Sequence, residues 1–179
     1  MEQLSVLVVA FALYSMIGWV GETLYTYWRE QRWVNRGFLR GPFFLLYGVG
    51  ALGPILWCGP EMSLWSVAAF ATVWAACVEY GGSVLLERIG LSYWDYADKP
   101  YNLRGRICLE SISVFVVGLI ALVYVFHPVI AHMIGQLSPS LTSLLATIFV
   151  VYALADGRHV LRRQLIWHRQ TGAVRGIVK

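Results

Sequence analysis

Charge is what this chain has least of. Asp, Glu, Lys and Arg make up 13% of its 179 residues, against about 25% in an average soluble domain. Hydrophobic residues make up 58%, and the mean hydropathy is +0.61. A chain so poor in charge is read as an integral membrane protein. The formal net charge of +4 does not point to nucleic acid, because the basic residues are spread between apolar runs rather than gathered on one polar helix. Cysteine is scarce as well. Cys58, Cys77 and Cys108 have no CxxC spacing and no histidine at zinc-ligand intervals, so they read as small apolar fillers, with Cys108 the one thiol candidate. His127 and His132, five apart, are poorly spaced for a metal on a helix and read as interfacial residues. No metal and no cofactor are expected.

Other motifs are missing too. Without GxxxxGKS/T the chain carries no ATPase of its own, and Gly48-Val49-Gly50 is too short a pattern for a nucleotide fold. Neither GxSxG nor HExxH occurs, and no internal repeat is visible. The first apolar run is too long for a signal-peptide core, starts with Glu2 rather than a basic residue, and lacks an A-x-A-like cleavage site. It is expected to stay as a transmembrane helix.

What is present is apolar helix. A span needs about 20 mostly apolar residues, and five stretches qualify or nearly so: Leu4 to Tyr27, Pro42 to Trp57, Ser63 to Leu86, Ile107 to Phe126 and Leu141 to Ala155. The second and fifth are short. Gly41-Pro42 is expected to open the second, and Ser138-Pro139 the fifth, as cap and first-turn proline. The fold class is therefore all-α, a polytopic membrane helix bundle with about five transmembrane helices. Residues 1–157 form the membrane domain, with polar loops at 28–41 and 88–106, and 158–179 form a basic tail with a loose amphipathic pattern suited to an anionic leaflet. All fourteen Lys and Arg residues fall in those loops and that tail. The N-terminus, residues 59–62 and the link from His127 to Pro139 have none, so the positive-inside rule puts the N-terminus outside and the C-terminus in the cytoplasm.

Polar chemistry concentrates in Tyr93 to Glu110, and three glutamates, Glu22, Glu79 and Glu110, lie inside apolar segments. An acid inside the membrane is a functional candidate by default, turned inward or paired. Arg106 precedes Glu110 by four residues and could pair with it along one helix face. Glu22 and Glu79 have no local partner and would either need Arg36, Arg104, Asn35 or Asn102 from the loops or be protonated. The second and fourth helices start on the cytoplasmic side, so their positive dipole ends, near Pro42 and Ile107, face the same way as Arg36, Arg40, Arg104 and Arg106. Gly37 and Gly41 would allow close backbone approach to a ligand. The combination favours an anion.

Asn35-Arg36-Gly37-Phe38-Leu39, Gly41-Pro42 and Tyr47-Gly48, followed by Trp94-Asp95-Tyr96, Asn102 and Gly105-Arg106-Ile107-Cys108-Leu109, resemble the bacterial membrane family called putative ABC-transporter type IV, or CmpB-like, over Gly18 to Ser113. The chain departs from the family pattern at Leu45-Leu46, where Pro-Ile is expected. The resemblance implies a permease-like membrane component. On this reading Glu22 and Glu79 are inward-facing acids, Arg36, Arg104 and Arg106 bind an anionic small molecule or lipid headgroup, Asn35, Asn102, Asp95 and Trp94 orient it, and Glu110 belongs to the same ligand-binding set. Membrane lipids surround the chain, and an ATPase subunit or a second copy is the expected companion, because five helices are few for a solitary transporter. The rival readings are an intramembrane enzyme acting on a lipid headgroup, with Glu22 or Glu79 as general base, and a structural subunit of a membrane complex.

Overall fold

The computed structural model describes residues 2–171, apart from Val34, Arg36 and Pro60, together with 175–176. Among these residues five helices run Glu2–Glu30, Leu45–Trp57, Leu64–Arg88, Leu109–Gly135 and Pro139–Thr171. All but the second are long and apolar enough to cross a membrane. The second, at 13 residues, rises about 20 Å at 1.5 Å per residue, short of a hydrocarbon core of about 30 Å. Among the described residues strand is confined to two-residue pairs, Asn102–Leu103 antiparallel to Ile107–Cys108 and Leu91–Ser92 parallel to Arg175–Gly176. This is an all-α membrane helix bundle. The long helices expose Val73, Val114, Val117, Ile148, Val151 and Leu154, as expected where acyl chains rather than water are the solvent.

The helix ends differ from the expectation in four places. The second helix begins at Leu45, not Pro42. A tight turn precedes it, closed by Phe43 N–H donating to the Gly41 carbonyl at 2.8 Å, and Phe44 N–H is taken by the Ser15 carbonyl at 2.9 Å. The fourth helix begins at Leu109, because Ile107–Cys108 pairs as a strand. It then runs through His127, which was expected in a link, to Gly135. One π turn, Leu122–Phe126, interrupts it just before Pro128, whose missing N–H opens the helical ladder. The fifth helix does not stop near Ala155 but continues unbroken to Thr171. Its start matches expectation: the Ser138 hydroxyl accepts the Leu141 N–H at 3.3 Å, and Pro139 lies in the first turn.

The chain divides into two compact units. In the first, Met1–Leu52 with Val125–Val160, the helix starting at Glu2 meets the start of the second helix at glycines. A Cβ on Gly18 would collide with the Tyr47 ring, and one on Gly48 with Ser15 and Phe11. Phe43 packs edge-on against Phe149 at 5.0 Å between centroids. In the second unit, Gly53–Tyr124 with Leu161–Lys179, the third helix packs along the first half of the fourth. Cys58, Val67 and Val123 form its buried centre with Phe70 and Ile120, and the Tyr124 hydroxyl donates to the Met62 carbonyl at 2.7 Å.

Candidate functional site

In the second unit, one face of the third helix receives the loop that follows it. Glu79, Ser83 and Glu87 recur at helical spacing, with Tyr80 beside them. Glu79 is 3% exposed. The Tyr96 hydroxyl donates to its Oε1 at 2.9 Å and the Ser111 hydroxyl to its Oε2 at 3.0 Å. Glu79 was expected either to take an arginine or asparagine from a loop or to be protonated, and no such cation or amide meets it among the described residues. It is instead held by two neutral hydroxyls, one from the loop and one from the first turn of the fourth helix. Ser111 also closes a capping box with Cys108. Its hydroxyl accepts the Cys108 N–H at 3.2 Å, and its own N–H donates to Cys108 Sγ at 3.4 Å. The positive end of this helix is thus met by its own cap and by Glu110 in its first turn.

Arg106 and Glu110 have different partners from the one expected. Arg106 Nη2 pairs with Glu87 and its Nη1 donates to Ser83 Oγ at 3.3 Å. Lys99 Nζ meets Glu110 at 2.7 Å. The i, i+4 pairing fails because residues 106–108 are outside the helix, so Arg106 and Glu110 do not share a helix face.

The loop is built around Asn102. Its amide donates to the Ala97 and Lys99 carbonyls at 3.2 and 2.8 Å, and its oxygen accepts Gly105 N–H at 2.9 Å. Trp94 Nε1 donates to the Arg106 carbonyl at 2.8 Å, and Asp95 Oδ1 accepts Ala97 N–H at 2.9 Å. Positive φ occurs at Tyr101 (52°), just before the hairpin, and at Arg104 (55°) and Gly105 (68°), in the turn that brings Asn102–Leu103 against Ile107–Cys108. Two of these are non-glycine residues in a sparsely populated region, strain that the surrounding hydrogen bonds sustain. The result places Arg104 Nη1 at 3.4 Å from the Tyr80 hydroxyl, while the Arg106 guanidinium lies 5.5 Å from the centroid of the same ring.

The first unit holds a second polar arrangement. Tyr47 lies across Gly18, one turn before Glu22, and its hydroxyl donates to Glu22 Oε2 at 2.9 Å. Asn35 spends both ends of its amide: its oxygen accepts Gly37 N–H and Trp19 Nε1–H, each at 2.9 Å, and its nitrogen donates to the Leu39 and Arg40 carbonyls. Arg40 binds Asp156 twice, through backbone N–H and Nε, both at 2.7 Å. Asp156 is 6% exposed. A Cβ on Gly41 would overlap the Tyr152 hydroxyl, and one on Gly37 the Phe43 carbonyl. These glycines make room for the chain itself. Arg36 lies outside the described residues.

The expected site residues therefore fall into two groups. Glu79, Trp94, Asp95, Asn102, Arg104, Arg106 and Glu110 belong to one unit, Glu22 and Asn35 to the other. Tyr47 and Tyr96 stand in the family motifs but were not expected to hold the acids, and Ser111, Glu87 and Asp156 were not expected in either arrangement. Of these three, Asp156 carries a signal in the sequence, as an acid directly following the apolar run Leu141–Ala155. Among the described residues no three His, Cys, Asp or Glu side chains gather as metal ligands.

The residues that shape these two loops, Asn35, Gly37, Gly41, Tyr47, Trp94, Asn102 and Gly105, are those of the motifs noted in the sequence. No curated protein and no solved structure matches the chain. A family model does, over residues 9–160, which includes both loops and parts of all five helices, and the chain belongs to the family described as putative ABC-transporter type IV.

Proposed function

We propose that the protein is a permease-like membrane component whose cytoplasm-facing loop, residues 89–108, binds an anionic ligand through Arg104. One observation carries the reading. Among the described residues the other cations of this loop are matched by carboxylates, Arg106 by Glu87 and Lys99 by Glu110, and Arg104 has none. It is exposed, held in a left-handed conformation, and placed against a tyrosine hydroxyl. Strain maintained at a charged residue is better explained by what the residue presents than by packing. Asn102, Trp94 and Asp95 serve the ligand indirectly, by fixing the backbone from which Arg104 projects. Glu79 fastens the loop to the third and fourth helices, Arg106 does so through Glu87 and Ser83, and Glu110 keeps Lys99 occupied.

The loop faces the cytoplasm, with the N-terminus outside, because every Lys and Arg then lies on one side. That orientation requires the short second helix, with the segment before it, to cross. An ATPase subunit or a second copy of the chain completes the transporter. The permease reading stands ahead of a headgroup enzyme with Glu79 as base because that carboxylate is buried and hydrogen-bonded at both oxygens, leaving it poorly disposed to meet a substrate. Arg104→Asn tests the proposal, since Asn tolerates positive φ. Native mass spectrometry of the purified protein should show loss of co-purifying anion in Arg104→Asn and retention in Arg169→Asn, which removes a tail charge. Equal retention in the two variants overturns the reading.

A further inference from the structure

Arg104 has apolar company. Tyr101 is 83% exposed and Leu103 54%, on the two sides of Asn102, and Leu109, where the fourth helix begins, is 59% exposed. These side chains do not contribute to the buried centre of the unit. The hairpin that carries them connects two helices long enough to span a membrane, Leu64–Arg88 and Leu109–Gly135, so it emerges at the membrane surface. Tyr80, which the Arg104 guanidinium touches, lies eight residues before the end of the third helix, about 12 Å along its axis. The guanidinium is thus set back among the ends of the spanning helices. A tyrosine and a leucine turned outward beside an arginine at this level have the make-up of an interfacial element, apolar parts toward the acyl region and the charge at the phosphates.

We infer that this hairpin binds the phosphate group of a membrane phospholipid, with Tyr101 and Leu103 against its glycerol and upper acyl carbons. The inference rests on the reading of Arg104 as an anion contact and names the anion. The guanidinium fork matches two phosphate oxygens. The Tyr80 hydroxyl, which accepts from Arg104, keeps its own proton for a third oxygen. A free phosphate ester would satisfy Arg104 and Tyr80 equally well but would leave the exposed apolar pair without a role.

The purified full-length protein in detergent would be titrated with dioleoyl phosphatidic acid, dioleoyl glycerol and glycerol 3-phosphate, and bound adducts counted by native mass spectrometry. Phosphatidic acid is expected to bind and dioleoyl glycerol to show no specific adduct. Arg104→Asn should weaken phosphatidic acid roughly tenfold or more, as for a lost charged hydrogen bond, with Arg104→Lys intermediate because it keeps the charge without the fork. The double variant Tyr101→Ser/Leu103→Ser, which leaves Arg104 in place, should weaken phosphatidic acid and spare glycerol 3-phosphate. If glycerol 3-phosphate binds in an Arg104-dependent manner and phosphatidic acid binds no better, the anion site stands and the lipid inference falls. If Arg104→Asn unfolds at the wild-type temperature and binds phosphatidic acid unchanged, both fall. If the Tyr101/Leu103 variant dissociates an oligomer and leaves lipid binding intact, the face belongs to a second copy and the inference is overturned.

Discussion

Glu79 sits almost without solvent access, yet among the described residues its two oxygens are met only by hydroxyls. A buried acid left short of a donor bears the full desolvation cost of the missing bond, about 1–3 kcal/mol. Tyr96→Phe should therefore lower stability by about that amount. Ser111→Ala should cost more, because the same hydroxyl also closes the cap of the fourth helix, a contribution of about 1 kcal/mol. The two substitutions share one partner, so their effects should not add. Thermal unfolding of the four proteins of this cycle in detergent measures this, and an unchanged transition for Ser111→Ala would mean that Glu79 is not held as described. The same scale explains the misplaced pairing of Arg106. A four-residue spacing predicts a contact only if both residues are helical, and Cys108, in extended geometry as the cap, keeps Arg106 outside.

Between elements, glycines decide how closely helices approach. Tyr47 can lie on the first helix only because Gly18 offers no Cβ, and that placement brings its hydroxyl to Glu22. Gly18→Leu should displace the Tyr47 ring, break the hydrogen bond to Glu22 and lower the unfolding temperature. Gly21→Ala, where a Cβ meets nothing within 4 Å, should leave the temperature unchanged. Equal temperatures for the two variants would refute close packing at Gly18. The loop from Asn35 to Gly41 is tied to the fifth helix by Arg40 and Asp156, whose exposures differ greatly, 63% and 6%. Arg40→Ala takes the guanidinium from a buried carboxylate and leaves it the backbone N–H bond, whereas Asp156→Asn leaves an exposed guanidinium to water and retains an acceptor. Arg40→Ala should therefore be the more destabilising of the two, though by a modest amount given the solvent around Arg40. The opposite order in chemical denaturation would show that Asp156 has another principal partner.

At the scale of the whole molecule, the distribution of charge predicts topology. Reporter fusions within Asp98 to Arg104 and after Lys179 should report cytoplasm, and one at Gln136 the outside, because the segment Gln136–Ser138 has no basic residue. A cytoplasmic signal at Gln136 would mean that the chain does not cross five times. Hydropathy sums over twenty residues and does not depend on which side chain meets which. For that reason the five apolar helices, four of them long enough to span, could be read in the amino-acid order though not all their ends, while the capped start at Ser138-Pro139 and the family motifs were legible as local patterns of residue type. Hydrogen bonds and ion pairs act over about 3 Å and are settled only when distant segments meet. Tertiary structure therefore decided that Glu79 is held by Tyr96 and Ser111, that Arg106 goes to Glu87, that Asn35 and Asn102 are spent on their own loops, and that Asp156, unremarkable in the sequence, is buried against Arg40.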